Sequence, residues 1–235
     1  MTYLEDFKSH ANSSPTAEVC GLVINFKGKA KYYACNNIAS DVLNSFSIDP
    51  IDYAKYSSMG DILYICHSHI NATEQPSTPD IVSCNSGKIP WIIYSLVTDK
   101  LHIEEPTGFK YPLFGRKYIF NSLDCWTFVV DLYLEELSIV LPVYKASGPI
   151  WYKDRSNNYF QGYAEEAGFE RVTDNSIKKY DIILFNIGSD IANHAGVYYG
   201  NGIFAHHAAN RLSCKEMYGG YWAKTTMAVY RYKKL

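Results

Sequence analysis

Pro106, Gly108 and Pro112 fall within the short stretch from Glu105 to Pro112, and the apolar periodicity of the preceding residues lapses there. Proline lacks an N–H and fixes φ, so neither a helix nor a central strand runs through such a stretch. A chain of 235 residues also exceeds the usual length of one compact domain. Two domains are therefore expected, residues 1–105 and 113–235, joined by a linker at 106–112. Hydrophobic residues make up 47% of the chain and charged residues 20%, enough apolar material for two cores.

The first half carries both helix and strand signals. Met1 to Asn12 reads as a helix stopped by Ser13-Ser14-Pro15. Val19–Ile24 and Ala30–Ala34 read as a hairpin around Lys27-Gly28-Lys29. Asp49-Pro50 has the form of an N-cap followed by proline at the first helical position, opening a helix to about Ser58. Ile62–Cys66 is an apolar strand running into His67, Ser77 opens another helix, and Trp91–Val97 and Leu101–Glu104 are further strands. In the second half a helix from Cys125 to about Leu137 is followed by a proline-punctuated loop through Pro149 and a short helix ending near Gly168. Strands at Asp181–Phe185, His194–Tyr199, Ile203–His206 and Met227–Tyr232 follow, which predicts an α+β domain.

A net charge of −2 and a pI near 6.4 give no basic footprint, so no nucleic-acid partner is expected. No apolar run approaches the ~18 residues of a membrane span. Glu5, Asp6 and Lys8 interrupt the first ten residues, which lack the apolar stretch of a signal peptide. Synthesis in the cytoplasm follows as an expectation. Six cysteines, at 20, 35, 66, 84, 125 and 214, form no CxxC pair and are expected to be reduced. The 21 tyrosines suggest a surface suited to glycan or to a large assembly.

Two constellations carry chemistry. Asp124 is placed to cap a helix whose first residue is Cys125, where unpaired N–H groups and the helix dipole favour a thiolate. His194 begins a strand and His206 follows twelve residues later, beyond the Gly200-Asn201-Gly202 turn. A hairpin would set both imidazoles near one end of a sheet, one to take the thiol proton and the other to orient it. In the first half, His67 and His69 project to one side of a strand and can share one Zn2+. Asp80 can supply a carboxylate oxygen, and a water can fill an open position. Glu18 would shuttle that water's proton, and Ser77 could donate to a developing oxyanion. The plainer alternatives are that Ser77 and Asp80 form a helix cap, that the histidines are satisfied structural groups, and that Cys125 is core.

The segments Asp124-Cys125, Asp181-Ile-Ile-Leu-Phe, His194-Ala-Gly-Val-Tyr-Tyr-Gly-Asn-Gly and His206 resemble the NlpC/P60 cysteine peptidases of bacterial cell walls. The resemblance implies a papain-like α+β fold that cuts peptidoglycan stem peptides, with Cys125 as nucleophile, His194 as base and His206 as orienting residue. It also points to Tyr118 as an oxyanion-site tyrosine. Trp126-Thr127 depart from the usual Ser-Gly, and that aromatic would narrow the substrate groove. Glu18, His67-Ser-His69 and Ser77-Thr-Pro-Asp80 resemble the JAMM (MPN) metalloproteases, which implies a cytidine-deaminase-like α/β domain holding zinc through His67, His69 and Asp80. Ile70 stands where that family commonly has proline. The two halves together resemble tail-assembly proteins of long-tailed phages related to lambda. That resemblance implies other tail-tip proteins as partners, assembly in the host cytoplasm, and action from the virion tail tip on the wall. A purely structural role as a tail-tip plug is the alternative.

Overall fold

A computed structural model describes residues 2–144, 146, 151–153, 159–174 and 176–235. The loop expected through Pro149 lies partly outside these residues. The chain divides into two compact units, Met1–Lys110 and Tyr111–Leu235. Thr107 donates through its N–H and hydroxyl to Asn85 Oδ1, so the start of the proline- and glycine-marked stretch is fastened to the first unit.

The first unit is a five-stranded sheet, β1 Cys20–Phe26, β2 Lys29–Cys35, β3 Ile62–His69, β4 Trp91–Ser95 and β5 Lys100–Glu104, in the order β2-β1-β3-β4-β5. Only β3 and β4 run parallel, joined by the crossover helix Thr78–Gly87; the other pairings are antiparallel. The sheet is thus mixed, and the helix–strand alternation expected of an α/β domain produces one parallel pair. Lys27 and Gly28, both at positive φ, turn the β1–β2 hairpin. The first helix, α1 Tyr3–Asn12, is opened by a Thr2/Glu5 capping box and buries Phe7 and Ala11, four residues apart on one face. α2 spans Pro50–Ser57 with Asp49 as its cap, and the crossover helix is α3. The strand expected over Ile62–Cys66 continues to His69, which carries both histidines into the sheet.

In the second unit a six-stranded antiparallel sheet is covered on one face by α4 Cys125–Leu137. Its strands are β6 Phe169–Arg171, β7 Ile182–Phe185, β8 His194–Gly200, β9 Ile203–His206, β10 Cys214–Met217 and β11 Thr226–Tyr232, ordered β10-β9-β8-β7-β11-β6. The short helices α5 Tyr159–Glu166 and α6 Gly220–Lys224 complete it. Phe128, Val129, Leu132 and Tyr133 recur at helical spacing and pack on Ile182, Leu184, Ala195, Val197 and Tyr230. Each such burial contributes roughly 1.5–3 kcal/mol. The opposite face carries Ile183, Phe185 and Phe204, covered by Tyr198, Tyr218 and Trp222. Strands β6 and β10 and helix α6 were not expected. β6 is three residues long, and β10 reads Cys-Lys-Glu-Met, with no apolar alternation to announce it.

Candidate functional site

The first site forms where the head of β8 meets the N-terminus of α4. Asp124 caps that helix: Oδ1 accepts from Thr127 N at 2.9 Å, and Oδ2 accepts from Asn121 N at 3.0 Å. Cys125 is the first helical residue and is buried. The backbone N–H groups of Ala195, Cys125 and Trp126 favour its thiolate. Ala195 is linked through its nitrogen to His194, so the sulfur lies near the His194–Ala195 peptide. Burial nevertheless pushes the thiol up to about 12, and the Asp124 carboxylate adds to the rise. The thiolate expected from the helix terminus is thus not the resting form. Loss of solvent outweighs the dipole and the three amides.

His194 Nε2 lies 2.9 Å from His206 Nδ1, bringing together the two histidines that the sequence set twelve residues apart. The His194 ring stacks on Phe185 at 5.7 Å and lies near Trp222, whose ring is 4.7 Å from that of His206. Burial first, and then His206 and His207, hold His194 well below the usual histidine range, so it is neutral at pH 7 and free to accept a proton. Among the described residues no hydrogen bond joins the Cys125 sulfur to the His194 ring. Ala195 packs on the α4 side of β8, while the His194 ring packs on the Phe185 side. A proton passing from this sulfur to the imidazole would have to travel around the end of the strand. Such contacts commonly tighten only when substrate is bound.

Tyr118, Cys125, Trp126, Tyr144, Phe160 and Asn193 are among the residues lining a cleft at the nucleophile. Burial raises the Tyr118 hydroxyl, and the nearby Asp124 carboxylate adds to the rise. Trp126 is fixed by its indole N–H donating to Pro142 O at 3.0 Å and by Tyr144 and Phe160 beside it. Its ring forms part of the wall, where the departure from Ser-Gly placed it.

The second site lies at the C-terminal end of β3. His67 Nε2 is 3.1 Å from His69 Nε2, and Asp80 faces both, Oδ1 to His67 and Oδ2 to His69, each at 3.5 Å. His69 Nδ1 lies 2.6 Å from Thr73 O. Nδ1 therefore carries the proton, and Nε2 presents its lone pair. Phe46 stacks on His67 at 4.5 Å, a loop contact with no signal in the sequence. Zinc bonds of about 2.0–2.2 Å at tetrahedral angles require ligand atoms roughly 3.3–3.5 Å apart. The donor types fit zinc, and the carboxylate distances of 3.5 Å match that span, while the imidazole nitrogens at 3.1 Å would have to part by a few tenths of an ångström to share an ion.

Glu18, buried beside this set, is pushed up to about 8, first by burial and also by Asp80, with His69 opposing. Asp80 is held well below the carboxylate range, because the neighbouring His67 and His69 imidazoles and the Ser77 hydroxyl outweigh its burial. Ser77 differs from its expected role. Its hydroxyl donates to Asp80 Oδ2 at 2.6 Å and accepts from Asp80 N, so it serves the capping box of α3 instead of standing free for an oxyanion.

Sequence reasoning missed Cys214, Glu216 and Trp222 as neighbours of His206. Glu216 Oε1 lies 3.6 Å from His206 Nε2, and Trp222 Nε1 donates to Glu216 Oε2 at 2.8 Å. The Cys214↔His206 register of β10 on β9 brings them there, and that strand had no signal of its own.

A cysteine at a helix N-terminus against the head of an antiparallel strand, with a histidine pair at that head, defines a thiol-hydrolase architecture. Residues 110–231 match the NlpC/P60 family, and the chain belongs to that family, which is of cysteine-peptidase type. It is 31% identical over 98% of its length to Tail tip assembly protein K of Escherichia phage N15, covering 94% of that protein. It is 26% identical to Tail tip assembly protein K of Escherichia phage lambda, over 79% of this chain and 89% of that one. A crystal structure described as similar to lipoprotein, NLP/P60 family, from Staphylococcus aureus is 12% identical, with a TM-score of 0.35. It covers 98% of this chain and 61% of that one, and at that score it adds nothing to the assignment.

Proposed function

We propose that the second unit is a cysteine endopeptidase that cuts peptidoglycan stem peptides for a phage tail. The observation that carries this is the Cys125 sulfur at the N-terminus of α4 near the Ala195 amide, together with a neutral His194 whose Nε2 lies 2.9 Å from His206 Nδ1. Cys125 would lose its proton to His194 as sulfur attacks the scissile carbonyl. The oxyanion would be received at the N-terminus of α4, by the positive end of the helix dipole and the Cys125 N–H. His206 would hold the imidazole in its tautomer, and His194 would return the proton to the leaving amine before water cleaves the thioester. Both relatives are named for tail-tip assembly. That supports assembly with other tail proteins in the host cytoplasm and delivery to the wall on the virion.

For the first unit the proposal is a JAMM-like zinc peptidase domain occupying residues 1–105, with His67, His69 and Asp80 as ligands. Bound zinc would supply Lewis acidity and lower the pKa of a water toward ~7. The chain's own part is to hold the ion on buried, oriented donors and to offer Glu18 as proton acceptor. Metal analysis of the purified full chain tests it. About one zinc per chain, lost in Asp80→Ala, supports the assignment, and protein without metal after purification at neutral pH opposes it.

The test of the peptidase is digestion of purified sacculi by wild type and Cys125→Ala, with mass spectrometry of released muropeptides. Equal release from both removes the cysteine mechanism. A structural role as a tail-tip component is the second reading, favoured by the assembly named for both relatives. Virions built with both sites mutated separate the two. Normal particles that fail only at infection favour enzymes, and failed assembly favours structure.

A further inference from the structure

Three metal-ligand atoms converge behind the histidine pair. His206 Nε2 lies 3.7 Å from Cys214 Sγ and 3.6 Å from Glu216 Oε1, and those two lie 3.6 Å from each other. The spacings are set by the fold. Cys214 is registered opposite His206 across the β9–β10 ladder, and Glu216 lies two residues on, on the same face. Bonds of about 2.0–2.3 Å from nitrogen, oxygen and sulfur at tetrahedral angles give edges of roughly 3.3–3.7 Å. We propose that His206, Cys214 and Glu216 form a second site for a zinc-class transition-metal ion, with water as the fourth ligand, distinct from the His67–His69–Asp80 set.

The surroundings fit an ion that comes and goes. Cys214 is only part-buried, and Glu216 borders a cleft shared with Arg211, Tyr221 and Trp222. Trp222 Nε1 holds Glu216 Oε2, which leaves Oε1 as the ligand oxygen. Arg211 Nη2 lies 2.6 Å from that same Oε1, on a side chain 56% exposed. Without an ion, the guanidinium supplies the positive charge there. When the metal binds, Cys214 releases its proton to solvent, and Arg211 must swing outward.

Occupancy would switch the base, a consequence that rests on the peptidase reading. With a proton on His206 Nε2 facing Glu216, Nδ1 has a lone pair and accepts from His194 Nε2–H. The His194 Nδ1 lone pair is then free for the thiol proton. A metal on His206 Nε2 instead puts the proton on Nδ1, which donates to His194 Nε2. The remaining His194 proton then sits on Nδ1, and the base is blocked.

Titration of the full chain with Co2+ reads the site without any activity, because a thiolate ligand gives a charge-transfer band that the His/His/Asp set cannot. A saturable band is expected, lost in Cys214→Ser and kept in Cys125→Ser. No band in folded wild type, or a band that survives Cys214→Ser, overturns the site. Arg211→Ala, an exposed change, should tighten binding by roughly fivefold, the value of an exposed ion pair; unchanged or weaker binding counts against it. Zn2+ should also suppress muropeptide release by wild type. Release that continues with the site saturated removes the coupling to His194. If apo protein releases nothing, the peptidase reading fails while the band still decides the site.

Discussion

Gly196 tests the packing that holds the histidine pair together. It lies two residues after His194 in β8 and pairs with His206 across the ladder. A methyl group there would stand 2.9 Å from Phe204 Cδ2, 3.1 Å from Ala205 O and 3.2 Å from His206 Cβ. The Phe204 ring is fully buried against Phe185 and Trp222, and the carbonyl is backbone, so neither can step aside cheaply. Gly196→Ala must then part β8 from β9 by a few tenths of an ångström. Overpacking of this kind costs about 1–3 kcal/mol. In a unit of this size that lowers the melting temperature by roughly 3–5 °C per kcal/mol. The same displacement lengthens the 2.9 Å His194–His206 contact toward the weak end of hydrogen-bonding range. Turnover should therefore fall by about tenfold or more even where the protein stays folded. Gly162 is the control. It is exposed within α5 with nothing near its virtual Cβ, so Gly162→Ala should stabilise by up to ~1 kcal/mol. Differential scanning calorimetry and muropeptide release measure both. A Gly196→Ala protein that melts and turns over like wild type would refute the claim that close strand approach sets the dyad.

Three further outcomes follow from single contacts. Asp181 is almost fully buried, and its carboxylate is held by both Arg231 Nε and Nη2, at 2.9 and 2.7 Å. Arg231→Met strands that charge and should cost about 3 kcal/mol in urea unfolding; a loss below ~1 kcal/mol would mean solvent reaches the carboxylate. Cys125, with its thiol raised to about 12, should be alkylated by iodoacetamide more slowly at pH 7–8 than free cysteine, with a rate still climbing above pH ~9. Asp124→Asn keeps a good cap and removes the adjacent charge, so it should quicken that reaction; fast labelling of wild type at pH 7 contradicts both. Ser77→Ala should destabilise the first unit by about 0.5–2 kcal/mol through its cap and leave zinc content unchanged. Loss of metal in that variant would give the hydroxyl a role beyond capping.

How much of this was readable in the residues depended on whether an element carries its own signal. Helix α4 announces itself through a capping aspartate and an apolar stripe, and β7, β8 and β9 through apolar runs bounded by turns. Strand β10 has neither, because an edge strand with alternating half-exposed residues needs no apolar face. It forms because β9 offers an unpaired edge, which is a property of the folded sheet. Missing β10 meant missing Cys214 and Glu216, although both are ordinary ligand residues. Ser77 was ambiguous for a different reason. Ser-x-x-Asp serves equally as a cap and as part of a catalytic set, and only the positions of the hydroxyl and carboxylate distinguish the two.

Charge state was the least readable property, because burial is contributed by residues far away in the chain. The helix-terminus argument at Cys125 is sound locally and points toward a thiolate. What reverses it is cover from the rest of the unit, just as Phe185 and Trp222 cover His194. A raised thiol and a depressed imidazole in one unit have a chemical consequence. Both partners favour their neutral forms, so a resting thiolate–imidazolium pair is disfavoured from each side. On the proposed peptidase reading, nucleophile and base would then separate charge only as the carbonyl is attacked, when the developing oxyanion and the helix N-terminus would share the cost. The proton therefore moves with bond formation and not ahead of it. Specificity gains from this order, since a sulfur that stays protonated until a substrate fills the aromatic cleft is shielded from adventitious electrophiles.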